Sequence, residues 1–326
     1  MNLKGKRVLV TGGAGFIGSH LCRRLVDEGA ELFVTVKYNS IIDNVRLARL
    51  WEKITPVEAD LRNLDSLMQL RRIGPQLIYH LAAYNHVGDS FSQVSEAIDS
   101  NANGSVNLLE AYEEYERFVY ISSSEVYGYQ EQVPFREDLI PCPLSPYAVG
   151  KYAGELYARM KWRSFNRPIV VVRPFNAFGP YQSPRGVICE LIIKCLQGED
   201  VVTTEGHQTR DFNFVENLVD GFILAGLCAG IEGEVINLGS GVEVSIRNMA
   251  ENIHALSGSQ SRLRIGDLPY RPGEIARMFA DRRNAERLLG WSPGVGLDKG
   301  LELTIEWYRR FLAEFADPNS AFCQLG

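Results

Sequence analysis

The sequence predicts an α/β fold: a doubly wound parallel sheet with a smaller, mostly helical C-terminal lobe. Three observations predict it. Short apolar segments rich in β-branched residues alternate with segments of helical spacing, the pattern of a parallel sheet covered on both faces. A glycine-rich turn follows the first strand-like segment. The 326 residues, 45% of them hydrophobic, suffice for one large domain or two smaller ones with cores of their own.

In chain order, "RVLVTG" from Arg7 reads as a buried strand. In "GFIGSHLCRRLVDEG", Ile17, Leu21, Leu25 and Val26 fall on one helical face and Gly29 supplies a stop. "ELFVTVK", "TPVEAD", "QLIYHLAA", "RFVYISSS" and "PIVVVRPFN" are further strands. Between them, "LDSLMQLRRIG", "VSEAIDSNANGSVNLLEAYEEY" and "YAVGKYAGELYARMKWRSF" predict helices. After about Asn176 the rhythm changes: Pro and Gly cluster in "GPYQSPRG", and a helix follows at "VICELIIKCLQGE". "VENLVDGFILAGL" and "EVINLGS" predict a helix and strand that return to the main sheet. "SIRNMAENIHALSG", "RNAERLLGW" and "LDKGLELTIEWYRRFLAEF" predict helices of the second lobe. The expected division is residues 1–178 plus 214–240 for the sheet domain, and 179–213 plus 241–326 for the lobe.

Composition narrows the function. A net charge of −6 and a pI of about 5.5 leave no broad basic face, so no nucleic-acid partner is expected. The six cysteines show no C-x-x-C spacing and read as reduced structural thiols. The five histidines lack metal-ligand spacing, so no metal site is expected. A strand pattern begins almost at once, without a signal peptide, and the longest apolar stretch, around "GFILAGLCAG", is too short to span a bilayer. The expectation is a cytoplasmic protein with no membrane partner.

"VLVTGGAGFIGSH" places Gly12, Gly15 and Gly18 between a strand and a helix, with Phe16 and Ile17 inside the turn. This is a G-x-x-G-x-x-G variant of the dinucleotide-binding turn: glycines let the backbone approach a pyrophosphate, whose charge meets the helix N-terminus. The end of the second strand, "FVTVKYNS", carries Lys37 where NAD-binding chains place a carboxylate for the ribose 2′-OH, with Asn39 just beyond. A lysine suits a 2′-phosphate, which tilts the cofactor toward NADP+ over NAD+. The alternative is a solvated Lys37 with NAD+ held by other contacts. Asp60, which ends "VEAD", and Leu61 just after it are candidates for the adenine end. Leu81, Ala82 and Ala83 of "HLAA" would let a cofactor lie close.

"ISSSEVYGYQEQVPFREDLIPCPLSPYAVGK" holds the candidate catalytic group. Tyr147 stands one helical turn before Lys151, which puts an ammonium beside the phenol. That ammonium, with an oxidised nicotinamide, would favour phenolate and make a base for a sugar hydroxyl. Ser123 ends its strand at the sheet edge where ligands bind, and its hydroxyl can bond the same oxygen. Glu125 lies two residues on, and the alternation of an extended strand sends both side chains to the same face.

With these motifs in place, the chain resembles the extended short-chain dehydrogenase/reductases of the nucleotide-sugar epimerase and dehydratase group. The resemblance spans nearly the whole chain through "TGGAGFIG", "HLAA", "SSSEVYG", "SPYAVGK", "RPFNAFGP", "RDFNFVENLVDG" and "RPGEIARMFADRRNAERLLGWSP". It implies a Rossmann-type domain carrying NAD(P), a lobe for a nucleotide-diphosphate sugar, and a homodimer. It also implies that Tyr147 takes the C4 hydroxyl proton while C4 gives up a hydride. A 4,6-dehydratase then removes the C5 proton and expels water from C6, with hydride returning there; a C4-epimerase turns the keto sugar over instead. Glu125 is the candidate C5 base. "Ser-Ser-Glu" resembles the Thr-Ser-Glu of GDP-mannose 4,6-dehydratases and departs from the Thr-Asp-Glu of dTDP-glucose 4,6-dehydratases, leaving Ser124 where the latter hold an acid. Typical UDP-galactose epimerases carry a small uncharged residue where Glu125 stands, although glutamate also occurs there in decarboxylases acting on UDP-glucuronate. The expected reaction is 4,6-dehydration, with C4-epimerisation the alternative. Arg210 and Arg271 match the family's phosphate-contacting arginines, and Asn176 a diphosphate or sugar contact; Tyr84, Arg185 and Val187 complete the candidate substrate set. The tract "YNSIIDN", with "RPFNAFGPYQSPRGVI" and "TRDFNFVENLVDGF", looks most like dehydratases of N-acetylglucosamine nucleotides.

Overall fold

The computed structural model describes residues 3–37, 42–270 and 274–316. Seven parallel strands form the main sheet: β1 (Arg7–Thr11), β2 (Glu31–Val36), β3 (Ile54–Glu58), β4 (Leu77–His80), β5 (Arg117–Ile121), β6 (Ile169–Pro174) and the strand Val235–Leu238. Across the sheet they run Val235–Leu238, β6, β5, β4, β1, β2, β3. Chain order therefore reverses between β1 and β4, which pair with Thr11 beside His80. A crevice opens there beyond the strands' carboxyl ends, the ligand site of such sheets.

The strands are apolar throughout because both faces are covered. On β1, Val8 and Val10 pack with Leu21, Cys22 and Leu25 of the helix Phe16–Asp27, whereas Leu9 between them packs with Leu67, Leu70, Leu108 and Leu109 on the other face. Each side chain so buried contributes about 1.5–3 kcal/mol. The strand Val235–Leu238 and the helix Val215–Leu227 both join this core, as the sequence predicts, the helix through Leu218, Val219 and Phe222. The helix Arg283–Leu289 packs there too, through Ala285 and Leu289, with Trp291 just beyond.

A second core unites the helices Val187–Gln197, Ile246–Ser257 and Leu297–Ala316 through residues such as Ile192, Met249 and Ile305. Small sheets flank it, including one in which Thr209–Arg210 lies between Val244–Ser245 and Arg277–Met278. Among the described residues no helix is long and apolar enough to cross a membrane.

Two predicted elements differ, and one element was not predicted. "LDSLMQLRRIG" forms two short helices, Leu64–Leu67 and Leu70–Ile73, the second ended by Gly74 at φ +60°. Ile42–Lys53, unassigned from sequence, is a 3-10 run that buries Leu47 and Leu50 in the main core. The long helix expected from Val94 is broken by a π turn at Asp99–Asn103. The buried Asn101 in that turn binds the backbone of Tyr84 both ways, accepting from its N–H at 2.7 Å and donating to its carbonyl at 3.1 Å.

Candidate active site

The glycine turn follows directly from β1. Gly12 has φ +73°, a conformation that penalises any side chain, and a Cβ there would lie 2.7 Å from the Ala82 nitrogen. A Cβ on Gly18 would lie 2.1 Å from the Gly12 carbonyl oxygen. Gly15 opens the helix Phe16–Asp27, which has neither a side-chain cap nor an acidic residue in its first turn. Uncapped N–H groups with no competing carboxylate fit a pyrophosphate. Phe16 packs against the second-lobe core, and Ile17 against both that core and the main one. Leu81 and Ala82 tie β4 to β1: Leu81 N–H donates to the Thr11 carbonyl and Ala82 N–H to the Thr11 hydroxyl, each at 3.1 Å.

At the adenine end, Lys37 is exposed and its ammonium lies 4.0 Å from Glu96. Asp60 is engaged by Arg62, whose Nε and Nη2 reach its two oxygens at 3.0 and 2.6 Å and hold its carboxyl down at about 2. Arg62 also binds Glu96 at 2.5 Å. Asp60 thus faces a neighbouring guanidinium that the sequence reading did not assign. Leu61 accepts from Asn107 Nδ2 at 2.9 Å through its carbonyl. Ala83 and Tyr84 lie just past β4. Asn39 and Arg271 lie outside the described residues.

Ser123, Glu125, Tyr147 and Lys151 do gather, with one correction. The strand does not continue to Glu125: β5 ends at Ile121, and Ser124–Tyr127 is a 3-10 turn. The Ser123 hydroxyl caps this turn, accepting the Glu125 N–H at 3.2 Å. Glu125 approaches Ser123 because the chain turns, not because strand faces alternate. Burial raises the Glu125 carboxyl above the ordinary range; the Arg210 charge opposes this and Glu274 adds to it. Ser124 is buried within the turn.

The helix Pro146–Phe165 starts well for its task. Ser145 caps it, accepting the Ala148 N–H at 3.2 Å, and Pro146 occupies the first turn. Tyr147 therefore sits at the positive end of the helix, where a phenolate is favoured. Lys151, only 2% exposed, donates to the Ile121 carbonyl at 2.5 Å and lies 4.8 Å from the centre of the Tyr120 ring. Burial lowers its ammonium to about 7, with Glu155 opposing that drop. Burial raises the Tyr147 phenol to about 12, with a hydrogen bond to Ser123 opposing the rise and the Glu125 charge adding to it.

Of the substrate candidates, Arg185, Val187 and Arg210 fall within residues 179–213, and Asn176 begins the strand Asn176–Phe178. Arg210 donates through Nη1 to the carbonyls of Thr209 and Ile275, at 2.8 and 2.7 Å, and through Nη2 to Glu274. Its adjacent Asp211 plays no part in that pairing; it accepts from Ser240, Gly241 and Ala280 instead. Asn176 donates to the Asp211 carbonyl through its backbone, at 3.1 Å. Arg185 pairs with Asp89 of the sheet domain at 2.5 Å. Val187 is the first residue of the lobe helix.

Two groups near the site escaped the sequence reading. Asn101, besides holding Tyr84, donates to the Tyr147 carbonyl at 3.4 Å. Glu155, fully buried one turn past Lys151, accepts from Ser122 at 2.7 Å and from Arg173 at 2.5 and 3.0 Å. A carboxylate inside a helix that otherwise looks amphipathic is the signal that could have found the second; the first has none without the fold.

Comparison with known proteins agrees with this geometry. Residues 9–304 match the family model described as GDP-mannose 4,6 dehydratase. The UDP-glucose 4-epimerase of Mycolicibacterium smegmatis is 35% identical, covering 93% of this chain and 98% of the relative. The dTDP-glucose 4,6-dehydratase of Streptomyces niveus is 34% identical, covering 93% of each. Among solved structures, the UDP-glucuronic acid 4-epimerase from Bacillus cereus, in complex with UDP-glucuronic acid and NAD, superposes with a TM-score of 0.86 at 32% identity, over 93% of this chain and 99% of that one. The chain belongs to the GDP-mannose 4,6-dehydratase family, among the nucleotide-sugar 4,6-dehydratases and 4-epimerases of the extended short-chain dehydrogenase/reductases.

Proposed function

We propose that this enzyme is a nucleotide-sugar 4,6-dehydratase with a tightly bound NAD(P)+, and that Glu125 is the observation that carries the reading. Tyr147 takes the proton of the sugar C4 hydroxyl, Ser123 bonds the same oxygen, and the Lys151 ammonium steadies the phenolate. A phenol held high in the ligand-free site needs that ammonium, the helix terminus and the ligand's own positive charge to ionise. When bound, the oxidised nicotinamide takes the hydride from C4 and later returns it to the sugar. The C4 ketone acidifies C5–H. Glu125 removes that proton, C5=C6 forms, and the same proton leaves with the C6 hydroxyl as water; C6 then receives the hydride and C5 a proton, which balances the one Tyr147 took from the C4 hydroxyl. One carboxyl acting as base and then acid suits a group whose ionisation lies near neutrality, and burial moves Glu125 in that direction.

Gly12, Gly15 and Gly18 hold the pyrophosphate; Phe16 and Ile17 offer backbone N–H groups. Leu61, Leu81, Ala82 and Ala83 flank the cofactor. Lys37 favours NADP+, whereas Arg62 between Asp60 and Glu96 leaves that corner near electrical balance and keeps NAD+ in play. Arg210, Asn176, Arg185 and Arg271 take the sugar nucleotide, beside Tyr84, Ser124 and Val187. In this reading the reaction runs at the seam between the sheet domain and the substrate lobe, in a cytoplasmic homodimer.

A second reading is C4-epimerisation. It is favoured by the 35% identity to a UDP-glucose 4-epimerase and by Ser124, which offers no second acid to a leaving hydroxyl. Both readings share the Tyr147 chemistry and part at Glu125. Mass spectrometry of reactions with UDP-N-acetylglucosamine, UDP-glucose, GDP-mannose, dTDP-glucose and CDP-glucose separates them. Loss of one water supports dehydration; unchanged mass with altered mobility supports epimerisation and overturns the first reading.

A further inference from the structure

We propose that Tyr127 is a positioning residue for the C5 base: its hydroxyl, bonded to Asn237, and its carbonyl, gripped by the returning loop, fix the turn that carries Glu125. The proposal rests on the dehydration assigned above, in which Glu125 acts after C4 has been oxidised.

Glu125 needs such support. Among the described residues, no hydrogen bond or ion pair holds its carboxyl, so the backbone beneath it sets where it points. That backbone is a single 3-10 turn, Ser124–Tyr127, just past the end of β5. Such turns have poor internal hydrogen-bond geometry and keep their shape through what surrounds them. Here Val126 N–H donates to the Ser123 carbonyl at 3.3 Å and Gly128 N–H to the Glu125 carbonyl at 3.2 Å, both long. A base that must meet a C–H tolerates little error, since a misplacement of about 1 Å can cost about 10²-fold.

The firmer anchors are at Tyr127, which is fully buried. Its ring centre lies 5.3 Å from that of Phe135, 6.5 Å from that of Phe175 and 4.6 Å from the Arg173 guanidinium. A phenylalanine ring would serve that packing, so the hydroxyl has another use. It donates to Asn237 Oδ1 at 2.7 Å, and burial raises the phenol to about 12, which keeps the proton in place. Asn237 is itself fixed. Its Nδ2 donates to the Phe135 carbonyl and its backbone N–H to Glu137 Oε1, each at 2.9 Å. Asn284 donates to the other oxygen of Glu137 at 2.9 Å. Tyr127 is thereby tied to the edge strand Val235–Leu238 of the main sheet. Its carbonyl is held from the opposite direction, accepting from Cys142 N–H at 3.1 Å and from Gln130 Nε2 at 2.8 Å. Gly128, at φ +58°, permits that return: a Cβ there would strike the Cys142 carbonyl oxygen. None of the Tyr127 bonds runs to Tyr147 or Lys151, which stand on the helix Pro146–Phe165.

The test separates the two halves of the reaction. Tyr127→Phe keeps the ring and removes the hydroxyl. Holoenzyme is mixed, for a single turnover, with whichever sugar nucleotide named above the wild type dehydrates. Absorbance of the reduced nicotinamide follows C4 oxidation, and mass spectrometry follows water loss. Water loss should fall by about tenfold or more while nicotinamide reduction stays within about twofold. In a Glu125→Gln background, Tyr127→Phe should lower water loss by less than about twofold further, because the group it aims is gone. Unchanged water loss in Tyr127→Phe overturns the proposal. So does an equal fall in both steps, or a full further fall in the Glu125→Gln background, since either marks a role in the fold alone. If Tyr127→Phe does not fold, Gln130→Met removes the side-chain bond to the Tyr127 carbonyl from a partly exposed position. The same split is then expected at about threefold, and its absence has the same force. A wild type that releases no water from any of these substrates sinks the dehydration reading and this inference with it. A wild type that releases water no faster than Tyr127→Phe sinks this inference alone.

Discussion

The glycine turn and the strand-end catalytic group sit at neighbouring points of the same sheet edge, yet they are built differently. The turn works through backbone: Gly12 and Gly18 have no room for a side chain, and the helix they open offers bare N–H groups. Its glycines lie within a dozen residues of sequence, although Ala82 of the neighbouring segment sets the limit at Gly12. The catalytic group works through side-chain charge, and its controlling neighbours are remote. Glu125 is acted on by Arg210 and Glu274, and Lys151 is held against a carbonyl thirty residues earlier. A local device binds, and a device assembled from distant residues tunes proton affinity.

The sharpest way to break that contrast is Tyr147→Phe. Removing the phenol hydroxyl should lower turnover by about 10²–10⁴-fold or more while dinucleotide affinity, measured by fluorescence quenching, stays within a factor of about two. Retained turnover would mean that the strand-end group is not the chemical centre.

Glu125→Gln comes next, because it divides the two reactions rather than stopping both. In a dehydratase, water loss should fall by about 10²–10³-fold while reduction of the bound nicotinamide by the sugar, seen in a single turnover, persists. In an epimerase, product formation should change only a few-fold. Water loss at full speed would place the C5 base elsewhere.

Arg210→Lys tests the lobe. The lysine keeps the charge and loses the planar fork that now spans Glu274 and the Thr209 and Ile275 carbonyls. KM should rise by about tenfold or more, with kcat changed less. An unchanged KM would assign Arg210 wholly to holding Glu274.

The same contrast explains what was legible in the sequence. The parallel sheet could be read because strands buried on both faces are apolar without interruption, as Val8, Leu9 and Val10 are. The glycine turn, Tyr147 and Lys151 could be read because spacing of a few residues carries them. The turn at Ser124–Tyr127 was misjudged because "SSSEVYG" holds no proline and its glycine comes only at the end, so the strand seemed to run on. Arg62 beside Asp60 was in plain view two residues away, but the pairing matters only once Glu96 is brought to it across the fold.

The smallest effect expected is at Lys37, and it asks whether the local device is purely backbone after all. If Lys37 meets a 2′-phosphate, Lys37→Ala should weaken NADP+ by about tenfold, the worth of one charge-assisted contact, and leave NAD+ within about twofold. If the cofactor is NAD+, the substitution should change neither, because Lys37 already stands beside Glu96, which Arg62 also binds at 2.5 Å, and Asp60 neutralises Arg62 in turn. Titrating cofactor-stripped enzyme with each dinucleotide at two salt concentrations decides between them, since a phosphate contact at an exposed lysine should weaken as salt rises and a hydroxyl contact should not. Equal loss of both cofactors would show instead that Lys37 supports the end of β2 as structure, and selectivity would then belong to residues beyond it.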